Sequence, residues 1–285
     1  MIRAVRFVKV EGAGNDYVLV DAFEQEVHDP AALSRRVADR HHGIGSDGLL
    51  VVGPAAGEAA ALMRIFNADG SEGRMCGNGL RCVVRYLIEA GRAAGPEVVV
   101  DTASGPLAGR LLPGERAEIV MGVPDFRPES LPVDLPGGGR EPACHPLPDG
   151  LEGDGAWAVS TGNPHLVVGV PDADALDLAA VGRALETSPR LAEGANVHLV
   201  TVEAADRLRV RPWERGSGAT RACGTGAVAS AAVAWARGWV TADELVVAMP
   251  GGELGVRREP SGTTWLSGPA RLVFRGEWPD EGSDP

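Results

Sequence analysis

The feature that most constrains this chain is that it repeats itself. Residues 64–79, RIFNADGSEGRMCGNG, and residues 211–226, RPWERGSGATRACGTG, each open on arginine, place an aromatic ring two residues later, and end in Cys-Gly-x-Gly. Arg64 and Arg211 are 147 residues apart, and so are Cys76 and Cys223. A looser match, at an offset of 148, relates the turn at Gly14-Asn15 to the turn at Gly162-Asn163, each running into a β-rich stretch. Helix-like segments follow both cysteine motifs, at 80–90 and 227–237, closed by Gly91 and Gly238. Glycine suits the left-handed position past a helix end. Self-similarity at this spacing predicts two similar α/β domains of about 145 residues each.

Alternating and β-branched runs predict strands at 5–10, 17–21, 48–52, 61–66, 97–101 and 117–121 in the first half. The second half offers 156–160, 166–170, 197–202, 207–211, 244–248, 264–267 and 270–274. Two further helices are expected at 31–40 and 176–185. So many strands per helix argue against a doubly wound parallel sheet. Residues 124–154 are rich in proline and glycine and read as an irregular crossover, and 276–285 as a frayed tail.

A net charge of −12 over 285 residues disfavours nucleic-acid binding, which rests on phosphate contacts. No apolar run is long enough to span a bilayer. The N-terminal segment lacks the apolar core of a secretion signal, so no membrane partner and a cytoplasmic location are expected. Lys9 is the one lysine, which disfavours a pyridoxal Schiff base, and it sits in no Walker loop. The four cysteines, Cys76, Cys82, Cys144 and Cys223, form no Cys-x-x-Cys pair, so no zinc or other metal site is expected.

Cys76 and Cys223 each precede Gly-x-Gly and a helix. A helix N-terminus offers unpaired N–H groups and partial positive charge, which lower a thiol's pKa and receive a carboxylate. One such cysteine alone is more often an inert core residue. Two at equivalent places in a duplicated chain favour chemistry. Inverting a stereocentre takes a proton from one face and returns one to the other, which asks for two acid–base groups.

Six segments together resemble the diaminopimelate epimerases, a pyridoxal-independent two-cysteine family related to proline racemase. They are GAGNDYVLVD (12–21), RHHGIGSDGLLVV (40–52), RIFNADGSEGRMCGNGLRC (64–82), STGNPHLV (160–167), EGANV (193–197) and RPWERGSGATRACGTGA (211–227). The resemblance implies two pseudo-symmetric domains, each a mixed sheet wrapped around a central helix, spanning 1–121 (with 270–285 returning to it) and 122–269. It implies Cys76 and Cys223 as the acid–base pair. Gly77, Asn78, Gly224 and Thr225 would bind the reacting α-carboxylate, Glu214 the α-ammonium, and Arg215 the distal carboxylate. Asn67, Asn163 and Asn196 would recognise the distal amino-acid group, Asn15 would lie near the α-centre, and His165 close to the catalytic centre. No cofactor is implied. The partner is the small-molecule substrate, and a homodimer is one assembly the resemblance admits. Many members carry a substrate-contacting glutamine where this chain has Gly48, leaving at most a backbone contact there. Cys82 reads as core packing, Cys144 as a loop thiol, and residues 40–42 as a solvated helix end. Competing readings are a proline, hydroxyproline or phenazine-pathway isomerase, a thiol redox enzyme, and a non-catalytic amino-acid-binding protein.

Overall fold

The computed structural model describes residues 3–73, 75–93, 95–131, 141–153 and 155–280. It divides into two compact units, Met1–Ile119 with Ser267–Pro285, and Val120–Leu266.

In the first unit the elements run β1 (Arg3–Gly12), β2 (Asn15–Asp21), α1 (Pro30–Ala38), β3 (Gly48–Gly53), β4 (Ala61–Asn67), β5 (Glu72–Gly73), α2 (Gly77–Glu89), β6 (Glu97–Thr102), β7 (Gly105–Leu112) and β8 (Arg116–Gly122). The second carries β9 (Ala143–His145), β10 (Ala156–Ser160), β11 (Pro164–Gly169), α3 (Leu178–Glu186), β12 (Asn196–Ala204), β13 (Arg207–Glu214), β14 (Gly218–Ala219), α4 (Gly224–Ala236), β15 (Glu244–Met249), β16 (Gly252–Arg258) and β17 (Thr264–Pro269). The last strand, β18 (Arg271–Asp280), pairs antiparallel with β1.

Both units are mixed in the same way. In the first, β2 runs parallel to β3 and β4 to β6, while β1–β2, β3–β4 and β6–β7 are antiparallel. In the second, β11 runs parallel to β12 and β13 to β15, with β10–β11, β12–β13 and β15–β16 antiparallel. Helix α2 packs against β1, β2, β4, β6, β7 and β18, and α4 against β10–β13, β15 and β16. Each helix is therefore the core of its own unit, as the fold-class expectation has it. Leu80, Val83, Val84 and Leu87 of α2 are fully buried. Helix α4 buries Ala227, Val228, Ala229, Ala231, Val233 and Ala234 completely, so apolar residues all round it are the mark of a helix enclosed by strands.

Several expectations need correction. Both central helices begin three residues early, because Cys76 and Cys223 act as N-caps whose sulfurs accept the N–H of Gly79 and Gly226. Gly276–Asp280 is strand, held by pairing to β1, and Gly276 leaves room for the Phe7 ring opposite it; residues 281–285 lie outside the described residues. The crossover at 124–154 contains a 3-10 turn, Pro128–Ser130, and strand β9, which holds Cys144; 132–140 and 154 lie outside the described residues. Helix α1 ends at Ala38, so Arg40 is not a helix end. Strand β7 was not expected. Its Gly109 lets the Val84 side chain of α2 come close to the strand. Among the described residues no helix is long and apolar enough to cross a membrane.

Candidate active site

In the first unit, Cys76 sits at the start of α2 in an extended conformation, half-buried. Its Sγ accepts the Gly79 N–H at 3.4 Å and lies 3.0 Å from the Tyr17 hydroxyl. The N–H groups of Gly77 and Asn78 have no intrahelical acceptor and point out of the positive end of the helix. Asn78 donates to Asn15 Oδ1 at 2.6 Å, and Asn15 donates to Asp47 at 2.9 Å. Arg81, fully buried one turn into α2, donates to Asn78 Oδ1 at 2.7 Å. Asn15 and Asn78 are thus tied to each other and to the cysteine turn. Beneath them, Arg40 bridges Asp16 and Asp47 at 2.7 and 2.8 Å. Lys9 is buried, pairs with Asp16 at 2.5 Å and donates to the Gly45 carbonyl, so the one lysine is a structural ion-pair partner.

Gly48 is the register partner of Tyr17 on β2 and of Asn67 on β4. A Cβ at Gly48 would run into the Phe66 carbonyl oxygen, so this position presents backbone alone. Asn67 ends β4, and its side chain donates to Ser71 Oγ at 2.9 Å within the turn that follows. Cys82 is enclosed in the core, where burial pushes its thiol up to about 12.

In the second unit, Cys223 caps α4. Its Sγ accepts the Gly226 N–H at 3.3 Å and lies 3.4 Å from the Thr225 hydroxyl. Burial, and then the Glu214 carboxylate, push this thiol well above its ordinary range, against the pull of Thr225 and Gly226. Burial, the largest of these influences, acts against the lowering expected of a helix terminus. Glu214 accepts from Thr220 Oγ1 at 2.6 Å. The Arg215 N–H donates to Asn196 Oδ1 at 2.9 Å, and its guanidinium donates to the Glu193 carbonyl at 2.8 Å. His165 touches Asn163 Oδ1 at 2.9 Å through Nε2, and His198 Nε2 at 2.8 Å through Nδ1. Both imidazoles are fully buried and held neutral: desolvation lowers His198 to about 3, and desolvation, with His198 beside it, holds His165 well below its ordinary range. The His198 ring packs on Gly226, where a side chain would collide with it.

The structure joins Asn15 to Asn78, Asn163 to His165, Asn196 to Arg215, and Thr225 to Cys223. Asn67 is held by its own turn, by its pairing with Gly48 on β3 and by Ser34, whose hydroxyl donates to its carbonyl at 2.8 Å. Tyr17, Arg81 and His198 were missed in sequence. The repeat offers a signal for one of them, because Tyr17 stands 148 residues before His165 and so occupies the equivalent position.

A family model described as Diaminopimelate epimerase matches residues 7–126 and 157–273, and both cysteine motifs fall inside it. The chain belongs to the diaminopimelate epimerase family. A diaminopimelate epimerase from Desulfovibrio desulfuricans is 39% identical, the match covering 98% of this chain and 99% of that one. Another, from Xanthomonas axonopodis pv. citri, is 41% identical over 96% of each. Among solved structures, a PhzF-family phenazine biosynthesis protein from Bacillus anthracis matches with a TM-score of 0.71 at 19% identity, over 97% of this chain and 99% of that one. A hydroxyproline epimerase from Agrobacterium vitis matches at 0.65 and 18%, over 97% and 91%. At those identities the solved structures speak for the fold alone, whereas the diaminopimelate epimerase relatives match end to end.

Proposed function

We propose that this chain is an isomerase that interconverts LL- and meso-2,6-diaminopimelate by two-thiol acid–base inversion at the α-carbon, with no cofactor. The observation that carries the reading is that Cys76 and Cys223 hold the same N-cap position, each on the buried helix of its own unit. Epimerisation asks for a base on one face of the α-carbon and an acid on the other, and each unit supplies one sulfur. The α-proton passes to a thiolate as the other thiol delivers its proton, and the charges of the two sulfurs exchange.

The carbanion-like transition state places charge on the α-carboxylate. The N–H groups of Gly77, Asn78, Gly224 and Thr225, in the first turns of α2 and α4, have no intrahelical acceptor and are fixed donors for that charge that need no reorganisation. Glu214 accepts from the α-ammonium, while Arg215 takes the distal carboxylate. Asn67, Asn163 and Asn196 recognise the distal amino-acid group, with Asn15 near the α-centre and His165, held neutral, beside the catalytic centre. Gly48 contributes backbone only. We assign the two epimerase domains to 1–121 with 270–285, and to 122–269. We further infer a cytoplasmic enzyme acting on a small molecule, with a homodimer as the assembly to be checked by sedimentation. The activity is tested by α-deuterium incorporation into diaminopimelate in deuterated water, with proline as the control substrate.

A further inference from the structure

The two sulfurs sit in equivalent turns but meet different neighbours. Cys223 Sγ faces the Thr225 hydroxyl, on its own turn. Cys76 Sγ faces the phenol of Tyr17, from a strand 59 residues away in sequence, at 3.0 Å. We propose that Tyr17 is a positioning residue for the proton transfer: its O–H donates to Cys76 Sγ and holds that sulfur as the thiolate of the substrate-free enzyme. This rests on Cys76 acting as an acid–base group.

The geometry carries the assignment. Tyr17 is buried on β2, and its ring position is fixed by the core, so the hydroxyl is held at the sulfur without ordering a mobile side chain. A thiol is a weak acceptor, whereas a thiolate makes a charge-assisted bond with an O–H donor. A second donor, the Gly79 N–H, reaches the same sulfur at the positive end of α2. The titratable groups of this unit near the pair are Asp47 before β3, and Arg81 and Cys82 from α2. Arg81 is a cation, Asp47 is neutralised by Arg40, and Cys82 stays a thiol. Burial, and then Cys76, push the phenol well above its ordinary range, so Tyr17 keeps the proton it donates. In the second unit the equivalent His165 is committed to Asn163 and His198, and the hydroxyl at Cys223 Sγ is that of Thr225, at the longer distance of 3.4 Å. Tyr17 therefore makes the two thiols unequal, with Cys76 the one that rests ready to accept a proton.

The test is Tyr17→Phe, which keeps the buried ring and removes only the hydroxyl. Iodoacetamide modification of Cys76 in the substrate-free full chain is followed against pH by peptide mass mapping. Losing a hydrogen bond to a charged group is expected to raise the midpoint by about 1–2 pH units. An unchanged or lowered midpoint overturns the proposal; a lowered one would mean that the thiol donates to the phenol. The acid limb of kcat/KM for diaminopimelate should rise with the midpoint while the alkaline plateau is retained, and a limb that stays in place overturns the role in catalysis. If the unmodified chain exchanges no α-proton, the proposed function fails, yet the alkylation midpoint still judges the Tyr17–Cys76 bond.

Discussion

His165 Nδ1 and His198 Nε2 meet at 2.8 Å with both rings sealed from solvent. Two imidazoles so placed share one proton on the bond and are both neutral. Protonating either would bury a cation beside its neighbour. Their folded pKa values lie below the unfolded value of about 6.5, so the unfolded chain binds more protons as pH falls. The stability they contribute is full above about pH 6.5 and is lost as pH falls below it, down to about pH 3 for His198, at roughly 1.4 kcal/mol per pH unit for each ring that titrates. Urea unfolding at pH 7 and pH 5 should show this loss, and His198→Phe should reduce it. An equal loss in the variant would mean that the pair does not titrate in this way.

Gly48 is predicted to resist the family's more common glutamine. The added Cβ meets the Phe66 carbonyl, which is backbone and cannot swing aside. Gly48→Gln should cost about 1–3 kcal/mol, the usual range for overpacking, and thermal unfolding reads it. A variant as stable as the parent would show that β3 and β4 can part at no cost.

The Glu214 carboxylate raises the Cys223 thiol's pKa. Glu214→Gln should therefore move the titration of Cys223 to lower pH while weakening substrate binding, since a carboxamide is a poor partner for an ammonium. Thiolate absorbance in a Cys76→Ala background, with and without the second substitution, measures the shift. A shift to higher pH would place Glu214 elsewhere in the electrostatics.

Arg215→Lys should lower kcat/KM by roughly 10- to 100-fold, because lysine offers a point charge where arginine offers a planar fork. The backbone N–H of residue 215 keeps its bond to Asn196 in either case, so the fold is retained. Unchanged kinetics would remove the guanidinium from substrate binding.

What was legible in the sequence was what is local. The cysteine turns carry their own geometry, with the sulfur and the glycine three residues on forming one cap, and the repeat doubles the signal. The Tyr17–Cys76 and His165–His198 contacts join residues 59 and 33 positions apart, and no local pattern encodes such a meeting. Strand β7 is hidden because GPLAGRLL lacks alternation, and its Gly109 is explained by the close approach of Val84 on α2 and of Glu118 and Ile119 on β8. The rise of the Cys223 thiol is hidden for a related reason: the helix terminus is visible in sequence, but the burial that acts against it is not.

Inversion by this chain needs both Cys76 and Cys223. Its most direct measurement follows interconversion and α-deuterium uptake of LL- and meso-diaminopimelate in deuterated water by the parent chain, Cys76→Ala and Cys223→Ala. The parent should label and interconvert both isomers, and each variant should lose interconversion by at least the roughly 10²–10⁴-fold typical of a general acid–base group. Interconversion at a near-parental rate in either variant would contradict this requirement.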